Sequence, residues 1–193
     1  MTGTDKSPFT TSGGHRHPYT APYSLLFEPM RHKPIKFAEI GVYRGASLKA
    51  WRIFFSEAKL YGYDNDANLL NYIASFQLPN THLQVMDGSN AESINNGLKS
   101  ATADGELLDV ILEDAAHDPE HQVVVIREGL KYLKQGGFLI IEDVFRERSE
   151  EPYEKILEEM KHLISFSTFI VCDHELRYSP GWNNDKLLVI VKA

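Results

Sequence analysis

The stretch Ile35-Lys36-Phe37-Ala38-Glu39-Ile40-Gly41-Val42-Tyr43-Arg44-Gly45-Ala46-Ser47 decides the fold of this chain. Its first half is a largely apolar run, typical of a buried strand, with an acidic residue near its end. Two glycines then predict a tight turn, in which the backbone can come close to another group before a helix begins. The expected helix presents an apolar face to the core, made of Leu48, Trp51, Ile53, Phe54 and Phe55.

Short apolar runs alternate with longer amphipathic stretches after this unit, which predicts strand–helix units around a parallel sheet. The further strands are expected at residues 60–63, 82–86, 107–112 and 138–141. The helices that follow them are expected at about residues 68–75, 91–100, 119–134 and 151–163. Pro119 suits a first helical turn, and Gly136-Gly137 is expected to end that helix. Two β-rich runs, 166–172 and 187–191, flank a turn at 179–184 and predict a hairpin.

Residues 1–33 differ in composition from the rest of the chain. They mix glycine, proline and histidine, which predicts an irregular arm or lid with at most a short helix at about residues 23–30. Residues 34–193 are expected to form one domain, because a chain of 193 residues fits a single core. The histidines of the arm lack the spacing of a zinc site and are interpreted as loop residues: His15, His17 and His32.

Charge and composition exclude several classes of partner. The net charge is -7 and the sequence pI is about 5.6, so a basic surface for nucleic acid is not expected. No apolar run approaches the roughly 20 residues that cross a bilayer, and the first residues lack the apolar stretch of a signal peptide. The sequence therefore predicts a cytoplasmic protein with no membrane partner. Cys172 is the single cysteine and is interpreted as a buried strand residue.

Acidic residues follow the first three predicted strands, at the edge where α/β sheets bind ligands. Glu39 precedes the glycine turn, and Asp64 follows about 20 residues after that turn, where a carboxylate can bind both hydroxyls of a ribose. Asp87-Gly88 follows the third strand. The glycine pattern departs from the dinucleotide fingerprint. This departure favours a nucleoside ligand over one with a pyrophosphate. The alternatives are an ordinary strand-to-helix turn at Gly41 and a common Asp-Gly turn after the third strand.

The fourth and fifth strands end in further carboxylates. Crowded like charges repel each other, so such a cluster normally requires a cation, and carboxylate oxygens favour magnesium, calcium or manganese. We predict that the ligands are Asp114, Glu142 and Asp143. The alternative is that these residues, and His117, are ordinary polar residues at strand ends or at a helix start.

Four sequence features together resemble the metal-dependent sugar O-methyltransferases of macrolide pathways, the macrocin and mycinamicin type. They are Gly3-Thr4-Asp5-Lys6 with His17-Pro18-Tyr19, the loop Glu39–Ser47, the stretch Asp114–Gln122, and Glu142-Asp143. The usual wording of the third feature in that family is Asp-Asp-Gly-Ser-His. In this chain Glu113 replaces the first aspartate, and Ala115-Ala116 replaces the Gly-Ser pair, which restricts the loop backbone.

The resemblance implies a class I methyltransferase that uses S-adenosylmethionine and Mg²⁺. It implies a Rossmann-like, doubly wound α/β fold with a seven-stranded, mostly parallel sheet of order 3-2-1-4-5-7-6. The magnesium ligands would be Asp114, Glu142 and Asp143, His117 would be the general base, and Asp5, Lys6, His17 and Tyr19 would belong to the lid. The cofactor-binding residues would be Glu39, Gly41, Tyr43, Gly45, Ser47, Asp64, Asp87, Gly88 and Asp114.

The predicted reaction is methyl transfer to a hydroxyl of a small molecule, a sugar or a glycosylated natural product. A metal lowers the pKa of such a hydroxyl, and a histidine can then remove its proton. Two alternatives stay open: a catechol-type O-methyltransferase, and a non-catalytic nucleoside-binding protein of the same fold. His121 and Gln122 are secondary candidates for substrate contact. The sequence names neither the acceptor nor the oligomeric state, and a homo-oligomer remains open.

Overall fold

The computed structural model describes residues 3–10 and 14–193. Its strands are β1 (Lys36–Ile40), β2 (Lys59–Asp64), β3 (Thr81–Val85), β4 (Leu108–Glu113), β5 (Leu133–Ile141), β6 (Ile164–Val171) and β7 (Lys186–Lys192). Its α-helices are α1 (Thr20–Phe27), α2 (Ala46–Phe54), α3 (Ala67–Ala74), α4 (Ala91–Ala101), α5 (Pro119–Gly129) and α6 (Glu151–Glu159). Turns of 3₁₀ helix follow α1, α5 and α6, at Glu28–Met30, Leu130–Tyr132 and Lys161–Leu163.

All strands belong to one seven-stranded sheet with the order β3-β2-β1-β4-β5-β7-β6. Strands β1 to β5 pair in parallel, whereas β7 pairs antiparallel with both β5 and β6. The predicted fold class, strand order and terminal hairpin are therefore confirmed. The chain leaves β1 towards β2 on one side and returns to β4 on the other. The carboxyl ends of β1 and β4 thus flank the switch point, where open α/β sheets bind their ligands.

Alternating side chains of the strands pack into two layers of core. On one face, Ala38 and Ile40 of β1 join a buried cluster with residues of α4, α5 and α6. On the other face, Phe37 joins a cluster that includes Trp51 of α2 and Phe27 of α1. A strand that is buried on both faces has a nearly continuous apolar sequence. This explains why the largely apolar stretch before Gly41 predicts a buried strand.

Two details of the predicted helices are wrong. Ile53 is 79% exposed, because about 100° of rotation per residue turns it away from the buried side of α2 that carries Trp51. The helix that begins at Pro119 ends at Gly129 and not at Gly136-Gly137. Pairing of Leu133 with Leu108 already draws the chain into β5, and the two glycines lie where the register between β4 and β5 shifts. They permit a bulge in the strand and do not end a helix.

The described residues of the predicted arm, 3–10 and 14–33, pack against the rest of the chain. Tyr19 and Tyr23 are buried in the same cluster as Phe37, and Arg16 forms an isolated antiparallel bridge with Tyr178. Residues 1–2 and 11–13 of this arm lie outside the described residues. The division into an arm and a domain stays a prediction.

Two sequence-based expectations concern the chain as a whole. In the part of the chain that the structure describes, no helix has both the length and the apolar character needed to cross a bilayer. Cys172 follows β6, is buried and carries a free thiol. Burial raises the pKa of this thiol to about 12, which agrees with its interpretation as a packed side chain.

Candidate active site

The turns that follow β1 and β4 touch each other at Gly41. This glycine has a φ of 92°, and a Cβ added to it would lie 2.1 Å from the carbonyl oxygen of Asp114. The Asp114 N–H also donates to the Ile40 carbonyl oxygen at 2.8 Å. Glycine is required here so that the ends of two neighbouring strands can meet. The predicted cofactor turn and the predicted catalytic loop therefore lie at one place.

Strained backbone concentrates at the same edge of the sheet. Tyr43 after β1, His117 after β4 and Asp143 after β5 have φ values of 45°, 54° and 57°. This left-handed conformation costs a residue with a side chain about 1 kcal/mol or more, and it persists where the surrounding structure enforces it. Such outliers cluster at active sites and ligand clamps. The backbone thus marks the three turns as a candidate functional site.

Lys6 of the arm places its ammonium group among the acidic side chains of these turns. Its Nζ lies 2.5 Å from Asp114 Oδ2 and 2.5 Å from Glu142 Oε2. The Glu39 Oε1 atom lies further away, at 3.5 Å. Burial alone would lower the pKa of Lys6, but the carboxylates outweigh burial and raise it well above its ordinary value. Lys6 therefore stays charged and offsets part of the negative charge.

Three aromatic side chains of the arm form hydrogen bonds with acidic residues in and beside the cluster. The Tyr23 hydroxyl donates to Glu142 Oε1, and the Tyr19 hydroxyl donates to Asp143 Oδ1 at 2.5 Å. The His17 Nδ1 atom lies 2.8 Å from Asp185 Oδ1. All these groups are buried, so the arm closes one side of the carboxylate cluster.

Asp114, His117 and Asp143 form a group that could hold a metal ion. Each offers one ligand atom, and these atoms lie within 4.8 Å of one another. The His117 Nε2 atom lies 3.3 Å from Asp143 Oδ2, and the buried His117 Nδ1 has no hydrogen-bond partner in residues 3–10 and 14–193. Carboxylate and imidazole donors of this kind suit divalent cations. The side chains present therefore fit a divalent cation.

The electrostatics of the cluster favour a further positive charge. Burial raises the pKa of Glu39 to about 7, although Lys6 counters part of this effect. Burial, and then the charge of Asp114, raise the pKa of Glu142 well above its ordinary value. Burial also raises the pKa of Asp143, against the opposing effects of His17 and His117. A bound cation would lower the cost of ionising these groups.

Glu142, the third predicted ligand, is orientated differently from Asp114 and Asp143. Its carboxylate contacts Lys6 and Tyr23, and it is not a member of the group of converging ligand atoms around His117. Its backbone carbonyl accepts a hydrogen bond from Gln122 Nε2 at 2.9 Å. Gln122 is fully buried, so its contact with the β5 turn is structural. The assignment of Glu142 as a ligand stays a prediction.

Glu113 lies behind the cluster, where the sequence departs from the family wording. It is buried, it accepts a hydrogen bond from the Ala115 N–H at 3.1 Å, and burial raises its pKa to about 7. Glu113 thus organises the turn that carries Asp114 and lies outside the group of converging ligand atoms. His121 is half-buried on α5.

The predicted cofactor residues lie along the turns after β1, β2 and β3. Ser47 Oγ donates to Glu39 Oε2 at 2.9 Å, and the Tyr43 N–H donates to Asp64 Oδ2 at 2.9 Å. Asp64 thereby links the ends of β1 and β2. Gly45 is the N-cap of α2 and is packed against Ile73, which indicates a local structural role.

The turn after β3 is partly exposed. Asp87 is exposed, and its Oδ1 accepts hydrogen bonds from the Ser89 N–H and hydroxyl, which lower its pKa. Gly88 faces the ends of β1 and β4, since a Cβ there would lie 3.5 Å from Ile40 Cγ2 and 3.9 Å from Ala115 Cβ. The structure therefore brings the Asp87-Gly88 turn beside the Gly41 turn.

Sequence reasoning missed three parts of this site. Tyr23 was assigned only to a short helix, Asp185 was not considered, and Lys6 was assigned to a lid and not to the carboxylate cluster. The spacing of Tyr19 and Tyr23 was a usable signal, because residues four apart lie on one face of a helix. Asp185 gave no such signal, because its partners, His17 and Arg177, come from distant segments.

Sequence comparison places this chain among relatives that methylate sugars. No protein-family model matches the chain. It is 29% identical over 135 residues to the 8-demethyl-8-alpha-L-rhamnosyl tetracenomycin-C 2'-O-methyltransferase of Streptomyces olivaceus, which covers 66% of the chain and 33% of the relative. It is 26% identical over 136 residues to a 3'-O-methyltransferase of the same organism that acts on a related rhamnosyl tetracenomycin, which covers 67% of the chain and 33% of the relative. The resemblance inferred from the four sequence features is confirmed.

Structural comparison agrees with the fold. A methyltransferase of the mycinamycin biosynthetic pathway, solved in complex with Mg and SAH, superposes with a TM-score of 0.71 at 18% identity. The match covers 96% of this chain and 52% of the other. The chain thus spans about half of that structure and about a third of the two curated relatives.

Proposed function

We propose, from the premise that this chain has the class I methyltransferase fold and is related to sugar O-methyltransferases, that it transfers a methyl group from S-adenosylmethionine to a hydroxyl. The acceptor class that we propose is a sugar or a glycosylated natural product. One observation carries the proposal. The Gly41 turn, where class I enzymes bind the methyl donor, contacts the loop that carries Asp114 and His117.

We assign the cofactor side of the cleft to the turns after β1, β2 and β3. Glu39 would bind the amino group of the donor, and Asp64 would bind its ribose hydroxyls. Gly88, which has no side chain, lies beside Ala115 and leaves space for the donor. Tyr43 and Ser47 hold these two carboxylates by hydrogen bonds. When bound, S-adenosylmethionine supplies a methyl group on a sulfonium centre, which is open to attack by an oxygen nucleophile.

We assign the metal side of the cleft to Asp114 and Asp143, with Glu142 as a further predicted ligand. A divalent cation such as Mg²⁺, when bound, lowers the pKa of an acceptor hydroxyl. The carboxylates of Asp114 and Asp143 would hold it near His117, and Lys6 would keep Glu142 and Asp114 in place. This positioning removes much of the entropic part of the barrier.

His117 is the proposed general base. Its Nε2 lies 3.3 Å from Asp143 Oδ2, so the carboxylate orientates the ring. The imidazole would take the proton from the acceptor hydroxyl as that oxygen attacks the methyl group. The left-handed backbone at His117 fixes the direction of the side chain.

We further propose that residues 1–33 act as a lid over this cleft. Lys6, Tyr19 and Tyr23 are buried against the carboxylate turns, and exclusion of water by such a segment strengthens the electrostatic interactions within the site. The cytoplasmic location and the absence of nucleic-acid and membrane partners remain predictions. A catechol-type acceptor is the alternative substrate class.

Titration calorimetry tests the proposal directly. We expect binding of S-adenosylmethionine to the unmodified protein, and binding of Mg²⁺ that Asp143→Asn weakens about tenfold or more. Asp66→Asn is the matched control and should leave the affinity for Mg²⁺ unchanged. Asp66 is the N-cap of α3, and asparagine can form the same cap. If S-adenosylmethionine does not bind at any Mg²⁺ concentration, the proposed activity is wrong.

A methyl-transfer assay then tests the base. His117→Ala should keep the affinity for S-adenosylmethionine and lose about 100-fold or more in turnover of a rhamnosylated acceptor. His162→Ala, an exposed histidine after α6, is the control and should leave turnover unchanged. Catechol turnover without turnover of any glycoside would favour the alternative substrate class.

A further inference from the structure

Three aromatic rings surround Trp182, which lies in the loop between β6 and β7. The ring centroid of Trp182 lies 5.9 Å from that of His117, 6.0 Å from that of Phe145 and 5.6 Å from that of His15. The rings come from the arm, the turns after β4 and β5, and the hairpin loop. Side chains so distant in sequence meet only because the fold brings their segments to one edge of the sheet.

The loop that carries Trp182 is held from two sides. The backbone N–H of Trp182 donates to the Ser179 carbonyl oxygen at 3.1 Å. The backbone N–H of Arg146 donates to the Asn183 carbonyl oxygen at 2.7 Å. The Ser179 hydroxyl lies 2.9 Å from His15 Nδ1 in the arm. These contacts fix the loop, so Trp182 is presented in place before any ligand arrives, which reduces the entropic cost of binding.

Trp182 offers the largest free aromatic surface in this cluster. It is 46% exposed, whereas Trp51, the other tryptophan, is 2% exposed. The guanidinium of Arg148 lies 3.7 Å from the Phe145 ring centroid and covers that ring. Within the described ranges, the indole N–H of Trp182 makes no hydrogen bond. A fixed aromatic surface with a free donor, beside a candidate base, is typical of a ligand-binding wall.

The angles between the rings indicate the shape of the ligand. Trp182 is inclined by 76° to His117, by 50° to Phe145 and by 56° to His15. None of these rings is parallel to Trp182, so they form no slot that would hold a flat aromatic molecule between two faces. A single wall with polar groups at its rim suits a puckered ring that has one apolar C–H face and hydroxyls at its edge.

We propose that Trp182 is the acceptor-binding residue of this site and that it stacks on the apolar face of a pyranose ring. The proposal rests on the proposed function and deepens it. The sugar would lie on the indole, with a ring hydroxyl directed towards His117 and other hydroxyls within reach of His15 and the indole N–H. Trp182 would then select the substrate class, while the carboxylate turns carry the chemistry.

Tryptophan fluorescence provides a test that does not depend on turnover. Because Trp51 is buried, acrylamide quenches mainly Trp182. We expect methyl α-L-rhamnopyranoside, added with SAH and Mg²⁺, to shift the emission and to protect Trp182 from acrylamide. Trp182→Phe should abolish this response. Trp51→Phe should retain it, and calorimetry with S-adenosylmethionine on the same samples tests the proposed function separately.

Kinetics of a rhamnosylated acceptor provide the second measurement. Trp182→Ala should raise KM about tenfold with little change in kcat, because a wall residue contributes binding and no chemistry. Trp182→Phe should recover most of the lost affinity. Phe166→Ala, which removes an exposed aromatic ring of β6, is the control and should leave KM unchanged.

Each outcome bears on the proposal in one direction. A glycoside response that is lost in Trp182→Phe supports binding of the pyranose at Trp182. If S-adenosylmethionine does not bind to the same samples, the pyranose would still bind there but Trp182 would not be an acceptor-binding residue of a methyltransferase. Binding of S-adenosylmethionine without any response of Trp182 to glycosides would overturn the assignment of Trp182. A response to pyrocatechol and none to the rhamnoside would overturn the pyranose class.

Discussion

Lys6 Nζ lies 2.5 Å from Glu142 Oε2, although 136 residues separate the two along the chain. Both side chains are almost fully buried, with 4% and 2% of their surface exposed. The same ammonium group also contacts Asp114. A lysine of the arm thus serves as the internal cation of the carboxylate cluster. The position of the arm and the net charge of the carboxylate cluster therefore depend on the same contact.

Lys6→Met should destabilise the protein, since it leaves buried carboxylates without their cation. Removing one partner of a buried ion pair costs about 3–5 kcal/mol. We expect a fall of this order in the free energy of urea unfolding with EDTA present. Mg²⁺ should restore more stability to Lys6→Met than it adds to the unmodified protein.

Lys155→Met is the control for this substitution. It breaks an exposed pair between Lys155 and Glu151 and should change the free energy of unfolding by less than about 1 kcal/mol. Equal stability of Lys6→Met and Lys155→Met in EDTA would contradict the role of Lys6 as the internal cation.

Gly41→Ala should disrupt the contact between the turns after β1 and β4. Its Cβ would lie 2.1 Å from the Asp114 carbonyl oxygen, and its φ of 92° is unfavourable for alanine. Gly105→Ala is the matched control, because its φ is 85° but no atom lies within 4 Å of the added Cβ. We expect Gly105→Ala to cost about 1 kcal/mol of unfolding free energy through backbone strain alone. Gly41→Ala should cost clearly more and should abolish binding of S-adenosylmethionine in calorimetry.

Tyr23→Phe should weaken the arm without removing its packing. The ring of Tyr23 is stacked on Phe27 and stays in place, but the hydrogen bond to Glu142 is lost. A buried acceptor that is left without its partner costs about 1–3 kcal/mol. Chemical denaturation should show a loss in this range for Tyr23→Phe and almost none for Tyr72→Phe, whose ring is 53% exposed. If Tyr23→Phe were as stable as the unmodified protein, the hydrogen bond to Glu142 would not stabilise the arm.

Cys172 should be unreactive in the folded protein. Burial raises the pKa of its thiol to about 12, so very little thiolate is present at pH 8. We expect Ellman's reagent to label Cys172 slowly at pH 8, faster as the pH rises, and rapidly once urea unfolds the chain. Labelling at the same rate in folded and unfolded protein would show that this thiol is accessible.

The strand–helix order was predictable from the sequence because local patterns encode it. The strand before Gly41 is buried on both faces, and its short length and the glycines that follow it indicate a strand where periodicity alone would not. The end of α5 was not predictable in the same way. Pairing of Leu133 with Leu108 sets the start of β5, and this is a contact between distant segments. The glycines at 136 and 137 gave a local signal that could be interpreted as either a helix end or a bulge.

The acidic cluster at the strand ends could also be predicted from the sequence. Parallel strands bring their carboxyl ends to one edge, so residue type and strand position together predicted a cluster of Asp114, Glu142 and Asp143. Which atoms converge depends on side-chain direction. The backbone at Asp143 and His117 is left-handed, and Glu142 is turned towards Lys6 and Tyr23.

The sequence by itself predicted the alternation of strands and helices from local patterns, and its short motifs predicted the family that it resembles. The strand order of the sheet was predicted only through that resemblance. Only the tertiary structure decided that Lys6 contacts the carboxylates and offsets part of their charge, that Gly41 permits the contact with Asp114, and that Trp182 lies beside His117. Each of these relationships joins segments far apart in the chain. Local patterns carry no record of such contacts, because the contacts form only when the sheet brings those segments together.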